Sequence, residues 1–77
     1  SEKAAFVKSL GASETVCIGN GNNDIPMFEV CALAIAVVGK EGCFSKTIAA
    51  SDITVCDIHD AIELLMDPQK MHAVTRE

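Results

Sequence analysis

The order of apolar runs along these 77 residues predicts an α/β fold, a three-layer arrangement with a parallel sheet between helices. Two observations carry this reading. Short β-branched and apolar runs alternate with segments of helical spacing, an order that calls for right-handed crossovers between parallel strands. The longest apolar stretch, Cys31 to Val38, contains Leu33–Val38, which is apolar throughout, as expected of a parallel strand covered on both faces. No repeat and no low-complexity linker interrupts the alternation, so the chain reads as one continuous piece of such a layer structure.

The elements follow in order. Glu2 to Leu10 places Ala5, Phe6 and Leu10 at helical spacing with Val7 alongside, and Gly11 is a natural stop. Thr15–Ile18 is a short strand ending at Gly19. A polar loop, Asn20 to Asn23, leads to Asp24, which can cap a helix over Ile25 to Cys31 or turn its carboxylate toward a cation; Pro26 is tolerated in that first turn. Met27, Phe28 and Val30 form the helix's apolar side. After the Leu33–Val38 strand, Gly39–Gly42 is a turn and Phe44–Ala50 a short helix. Asp52–Cys56 is a third strand. Ile58–Met66 is a helix presenting Ile58, Ala61, Ile62 and Leu65 on one face and stopping before Pro68. The tail from Met71 to Glu77 extends as a helix or frays.

Composition narrows the functions open to such a chain. Hydrophobic residues make up 49% and charged residues 22%, so the chain is globular, although one this small buries only about 60% of its unfolded surface. A net charge of −5 with six scattered basic residues gives no footprint for nucleic acid. An eight-residue apolar stretch is far short of the roughly 20 residues that span a bilayer. With no signal-peptide pattern, a soluble, cytoplasmic protein without nucleic-acid or membrane partners is expected. Cys17, Cys31, Cys43 and Cys56 form no CxxC pair. They fit reduced thiols serving as small hydrophobes better than a zinc or disulfide framework.

The chemistry concentrates in Gly19–Asp24, between the first strand and its helix. Ligands of open α/β sheets bind at the carboxyl ends of the strands, which is where this loop lies. Two glycines let backbone approach a ligand closely. Asn and Gly are also ordinary turn residues and Asp an ordinary helix cap, so residue types alone leave a purely structural loop open. A dinucleotide-binding turn is disfavoured, because Gly19-x-Gly21 lacks the third glycine and a suitably placed acid.

The longer string Ile18–Gly19–Asn20–Gly21–Asn22–Asn23–Asp24–Ile25–Pro26–Met27 resembles the fourth motif of the haloacid dehalogenase superfamily. The form is that of the soluble, P-type ATPase-like phosphatase subgroup, Gly-Asp-Gly-x-Asn-Asp, with Asn20 in place of the first Asp. Ala34–Val37 and Ala50–Ile53 resemble the segments that follow it, and Lys3 before Phe6–Val7–Leu10 resembles the third-motif lysine. The resemblance covers roughly Lys3 to Met66. It implies a Rossmann-like haloacid dehalogenase core, with residues 1–77 as its C-terminal half. It also implies a Mg²⁺-dependent phosphohydrolase that works through an aspartyl-phosphate, in which positioning and charge neutralisation do most of the work. On that basis Asp24 and Asn20 would face the metal, Asn23 and Gly21 the phosphate, and Lys3 would be the catalytic lysine. The substrate of the complete enzyme would be a small phosphorylated molecule.

The nucleophilic Asp-x-Asp segment of that family does not occur in these 77 residues. Neither Asp52-Ile-Thr-Val nor Asp57-Ile-His-Asp reproduces it. The chain by itself is therefore expected to be inactive as a phosphatase. It is also expected to expose the sheet edge where the nucleophile strand would lie, so that a homo-oligomer or a missing N-terminal segment covers it. The alternative reading is a binding or regulatory module that keeps the fold without the chemistry, in keeping with Asn20.

Overall fold

A computed structural model describes residues 2–11 and 14–75; the side chain of Val7 and the last two residues of the tail lie outside that description. Helix α1 spans Glu2–Leu10, β1 Val16–Gly19, α2 Ile25–Val30, β2 Leu33–Val37, α3 Ser45–Ala50, β3 Ile53–Val55, α4 Ile58–Met66 and α5 Pro68–Thr75. A short 3-10 turn, Asn22–Asp24, precedes α2. The strands form one parallel sheet in the order β1-β2-β3, with Cys17 beside Ala34 and Ile35 beside Ile53. This is an α/β Rossmann-like fold, incomplete in that the described residues form only three strands.

The two-residue period of β2 divides the core. Ala34 and Ala36 face one side, where they meet Cys17 and Phe28, with Met27, Val30 and Ala50 packed around them. Ile35 faces the other side, against Ile53, Ala61 and Leu64, with Ile18 and Met71 at the margin. Helices α2 and α3 cover the first face and α4 and α5 the second, while α1 packs on α2 through buried Ala4. The middle strand is apolar at every position because both of its faces are covered.

Strand ends are shorter than the apolar runs, but the ladder continues past them. The Ala32 N–H donates to the Thr15 carbonyl at 2.9 Å, and the Val38 N–H to the Val55 carbonyl at 2.8 Å. Asp52 clamps the entry to β3: its N–H donates to the Ala34 carbonyl and its carboxylate accepts from the Ala34 N–H, both at 2.8 Å. Gly11 ends α1 with φ +96°, where a side chain would strain, and its N–H closes on the Lys8 carbonyl at 3.2 Å.

One expectation needs correction. Helix α4 turns Ala61 and Leu64 to the sheet, whereas Ile58, Ile62 and Leu65 are exposed. A three-stranded sheet spans two inter-strand spacings, about 10 Å, which is the width of one helix, so the helix flank has nothing to lie against. Of the two roles open to Asp24, capping α2 is not the one taken: its side chain makes no cap. Its carboxylate points back over its own loop, for the reason described next. The described tail is helical through Thr75.

Candidate functional site

Asp24 organises the carboxyl end of β1. Its Oδ2 accepts from the backbone N–H of Asn20 at 3.0 Å and of Gly21 at 3.1 Å, and its own N–H donates to the Gly21 carbonyl at 3.1 Å. Its Oδ1 accepts from Lys3 Nζ at 2.6 Å. The residue is only 7% exposed, so the carboxylate is held away from bulk water while all these donors converge on it. Burial pushes its pKa up. The Lys3 ammonium and the two amides outweigh that effect, and the carboxyl titrates below its ordinary 3.8.

Gly19 makes this possible. A Cβ at that position would sit 2.8 Å from the Asp24 Cβ and closer still to its carboxylate, so only glycine lets the aspartate fold back over the strand end. The loop is also fastened from α3. Fully buried Thr47 donates from Oγ1 to the Gly21 carbonyl at 2.8 Å, and the Phe44 N–H donates to the Asn20 carbonyl at 3.0 Å. The Asn20 side chain donates from Nδ2 to Glu41 at 3.4 Å.

Of the residues singled out in the sequence, Lys3 and Asp24 meet directly, although 21 positions separate them. Gly21 and Asn20 contribute backbone N–H groups to the same carboxylate, while the Asn20 amide turns away toward Glu41. Asn23 stands on the 3-10 turn, exposed, in a cleft of about 480 Å³ shared with Glu2, Lys3, Asn22, Ile25 and Pro26. A second cleft, about 400 Å³, is also lined by Lys3, together with Asp24, Phe6, Ile18 and Met27. Lys3 thus borders both clefts, as Glu2 does.

Thr47 and Glu41 escaped sequence reasoning. Neither lies in a recognisable motif, and both act through partners at least 21 residues away. Cys17, under the loop, is buried beside Cys31. Burial first, then the Cys31 thiol and the Asp24 charge, push its pKa up to about 12, which leaves it unreactive at neutral pH. All four cysteines are free, and among the described residues no three His, Cys, Asp or Glu side chains converge as a metal cluster. No helix among the described residues is long and apolar enough to cross a membrane.

A three-layer parallel sheet with a Gly-rich loop and a Lys–Asp pair at the carboxyl end of one strand defines a class. The chain belongs to the haloacid dehalogenase-like hydrolases, whose family pattern matches residues 2–62. Among its relatives is an uncharacterized protein of Methanocaldococcus jannaschii, 42% identical over 84 positions that take in all of this chain and 90% of that protein. Segments of two much longer proteins are also similar. The phospholipid-transporting ATPase NEO1 of Saccharomyces cerevisiae is 29% identical across 82% of this chain, and neo1 of Schizosaccharomyces pombe 31% identical across 79%. The matches take up 5% and 6% of those ATPases, so the likeness concerns one small segment of each. No solved structure matches the chain significantly.

Proposed function

We propose that these residues are the third- and fourth-motif half of a Mg²⁺-dependent phosphohydrolase core of the aspartyl-phosphate type, inactive until a nucleophile-bearing segment completes it. The observation that carries this reading is the Lys3–Asp24 pair at the carboxyl end of β1, the strand at one edge of the described sheet. The Lys3 side chain is half exposed and borders the cleft that Asn23 lines, so its ammonium can neutralise phosphate oxygens without leaving Asp24. Gly21 and Asn23 would border the phosphate. A small phosphorylated molecule is the substrate class such a recess admits, and four free thiols accord with a reducing, cytoplasmic setting.

The donor set fits Mg²⁺ as part of a site. Mg²⁺ commonly takes one or two carboxylates together with phosphate oxygens and water. Asp24 offers one carboxylate, already shared with Lys3. Asn20 spends its amide nitrogen on Glu41, which makes its oxygen the atom it can offer a cation. The ion would supply charge neutralisation at the phosphate, and the remaining carboxylates would come from the nucleophile segment.

A second reading, a binding or regulatory module without chemistry, is favoured by one specific observation. Asp24 is fully engaged by Lys3 and two amides, as a structural carboxylate would be. Two measurements separate the readings. The 77-residue chain alone is expected not to turn over p-nitrophenyl phosphate or acetyl phosphate. It is expected to become active when a polypeptide carrying the Asp-x-Asp strand is added, and to lose that activity in Asp24→Asn. Mg²⁺ titration should move the amide resonances of Asn20 and Asp24 in the millimolar range; unmoved resonances and no complementation would establish the module. Turnover by the chain alone that disappears in Asp24→Ala would overturn the half-site.

A further inference from the structure

Gly19 and Gly21 are two of the first three residues of the site loop, and glycine has the most backbone freedom to lose on folding. Gly21 gains no hold from its own geometry, because φ −120° and ψ 170° lie in the extended region that any residue adopts. What fixes the loop must therefore come from its hydrogen bonds. Both peptide units that flank Gly21 are bonded to the start of α3. The Asn20 carbonyl accepts from the Phe44 N–H at 3.0 Å, and the Gly21 carbonyl accepts from Thr47 Oγ1 at 2.8 Å. Of these two donors only the hydroxyl belongs to a side chain.

A trans peptide carries its C=O and N–H on opposite sides, and every described peptide bond is trans. In the Asn20–Gly21 unit the carbonyl faces Phe44, so the Gly21 N–H faces the other way, where it meets Asp24 Oδ2 at 3.1 Å. The Phe44 N–H, that peptide and the carboxylate form a series in which each hydrogen bond polarises the next. In the following unit the Gly21 carbonyl takes two donors, the Asp24 N–H at 3.1 Å and the Thr47 hydroxyl. The hydroxyl thus ties down the residue whose N–H and C=O both bond Asp24. Thr47 suits the task. It is fully buried, and its β-branched side chain is stiff at χ1. Its hydroxyl reaches 26 positions back, not to the preceding turn where a helical threonine often bonds.

We propose that Thr47 is a positioning residue for the Asp24 carboxylate: its bond to the Gly21 carbonyl holds the loop where the Asn20 and Gly21 amides converge on Oδ2. Lys3 takes Oδ1 from α1, so the carboxylate is set between a fixed loop and a lysine from another helix. Fully buried, Thr47 acts through Gly21 and touches no substrate itself. Its reach to a bound Mg²⁺ rests on the phosphohydrolase reading above, while its hold on the loop does not. Groups that orient a metal ligand change metal affinity about 10- to 100-fold when removed.

Two variants of the whole chain test this. Thr47→Val keeps the shape and removes the hydroxyl, whereas Thr47→Ser keeps the hydroxyl. In the metal-free chain, amide exchange at Asn20 and Gly21 is compared with that at Ile35 in the core. A loss of global stability alone would speed all three together. Thr47→Val is expected to speed exchange at Asn20 and Gly21 about tenfold more than at Ile35, and Thr47→Ser to restore it. Mg²⁺ titration followed at the same amides should give a dissociation constant about tenfold higher in Thr47→Val. Thr54→Val, which removes an exposed hydroxyl from β3, should leave both readouts unchanged. Exchange that keeps pace with Ile35 overturns the proposal, as does a Thr47→Ser chain that behaves like Thr47→Val. Mg²⁺ binding of unchanged strength to a loosened loop overturns the reach to the metal. Should Thr47→Val not fold, the Thr47 hydroxyl proton of the unaltered chain decides. Exchange with water far slower than at Thr54 supports the bond, and equal exchange overturns it. An unaltered chain that binds no Mg²⁺ sinks the phosphohydrolase reading, and the exchange test of Thr47 still stands.

Discussion

Asp24 and Asp57 stand in equivalent places, each just after a parallel strand and just before a helix, yet they do opposite things. Asp57 is exposed and caps α4: its carboxylate accepts from the His59 N–H at 2.7 Å and contacts His59 Nδ1 at 2.8 Å. Asp24 is buried, makes no cap, and folds back to bind its own loop and a lysine from another helix. Both titrate below the ordinary carboxylate value. For Asp57 the cause is two bonds from one neighbouring residue, the backbone bond first; for Asp24, burial opposes and a distant ammonium helps overcome it. The lesson is that an aspartate before a helix has two uses, and the residue at the strand end decides between them. A glycine leaves room above the strand for the carboxylate, and Gly19 supplies that room.

The largest expected effect follows from filling that space. Gly19→Ala would drive a methyl group into the Asp24 side chain, at an expected cost of about 3 kcal/mol, read as a lowered urea midpoint. The Lys3–Asp24 contact should be lost with it, and an intact contact in the variant would show that the loop, not the glycine, sets the aspartate's direction.

Next comes the pair of truncations. Asp24→Ala leaves the N–H groups of Asn20 and Gly21 without their acceptor and should destabilise by about 2 kcal/mol. That is a large share for a chain of this length at roughly 0.1 kcal/mol per residue. Asp57→Ala should lower the urea midpoint less, because water replaces its bonds. Equal losses would mean that both aspartates are simple surface caps.

The smallest effect is one of pH. Because the folded pKa of Asp24 lies below its ordinary 3.8, the folded state binds fewer protons than the unfolded state. The stabilisation is therefore complete above that value and fades as pH falls through the folded pKa. Urea midpoints measured from neutral pH downward should decline below about pH 4. Asp24→Asn should flatten that decline more than Asp57→Asn does.

Much of the fold was legible because local periodicity encodes local geometry. Leu33–Val38 announced a strand with two covered faces, and Ile58–Met66 announced a helix with the observed bounds. The face that α4 buries was not legible. Ile58, Ile62 and Leu65 are as apolar as Leu64, and only the width of the sheet beneath the helix chose Ala61 and Leu64. At the site, the loop and its candidate residues stood out through Gly19–Asp24 and its flanks, and Lys3 through its place before an apolar helix. Thr47 did not, since a lone threonine in a short helix carries no mark of the carbonyl it will reach 26 residues away.

The sequence by itself settled the alternation of helices and strands, the family, and the position of a Gly-rich loop at the carboxyl end of a strand. These depend on the spacing and type of neighbouring residues, which the chain states directly. The tertiary structure decided which way Asp24 points, that Lys3 is the cation it meets, and that β1 stands at the edge of the described sheet. Those depend on which distant groups arrive at the same place, and a carboxylate takes its role from what stands beside it.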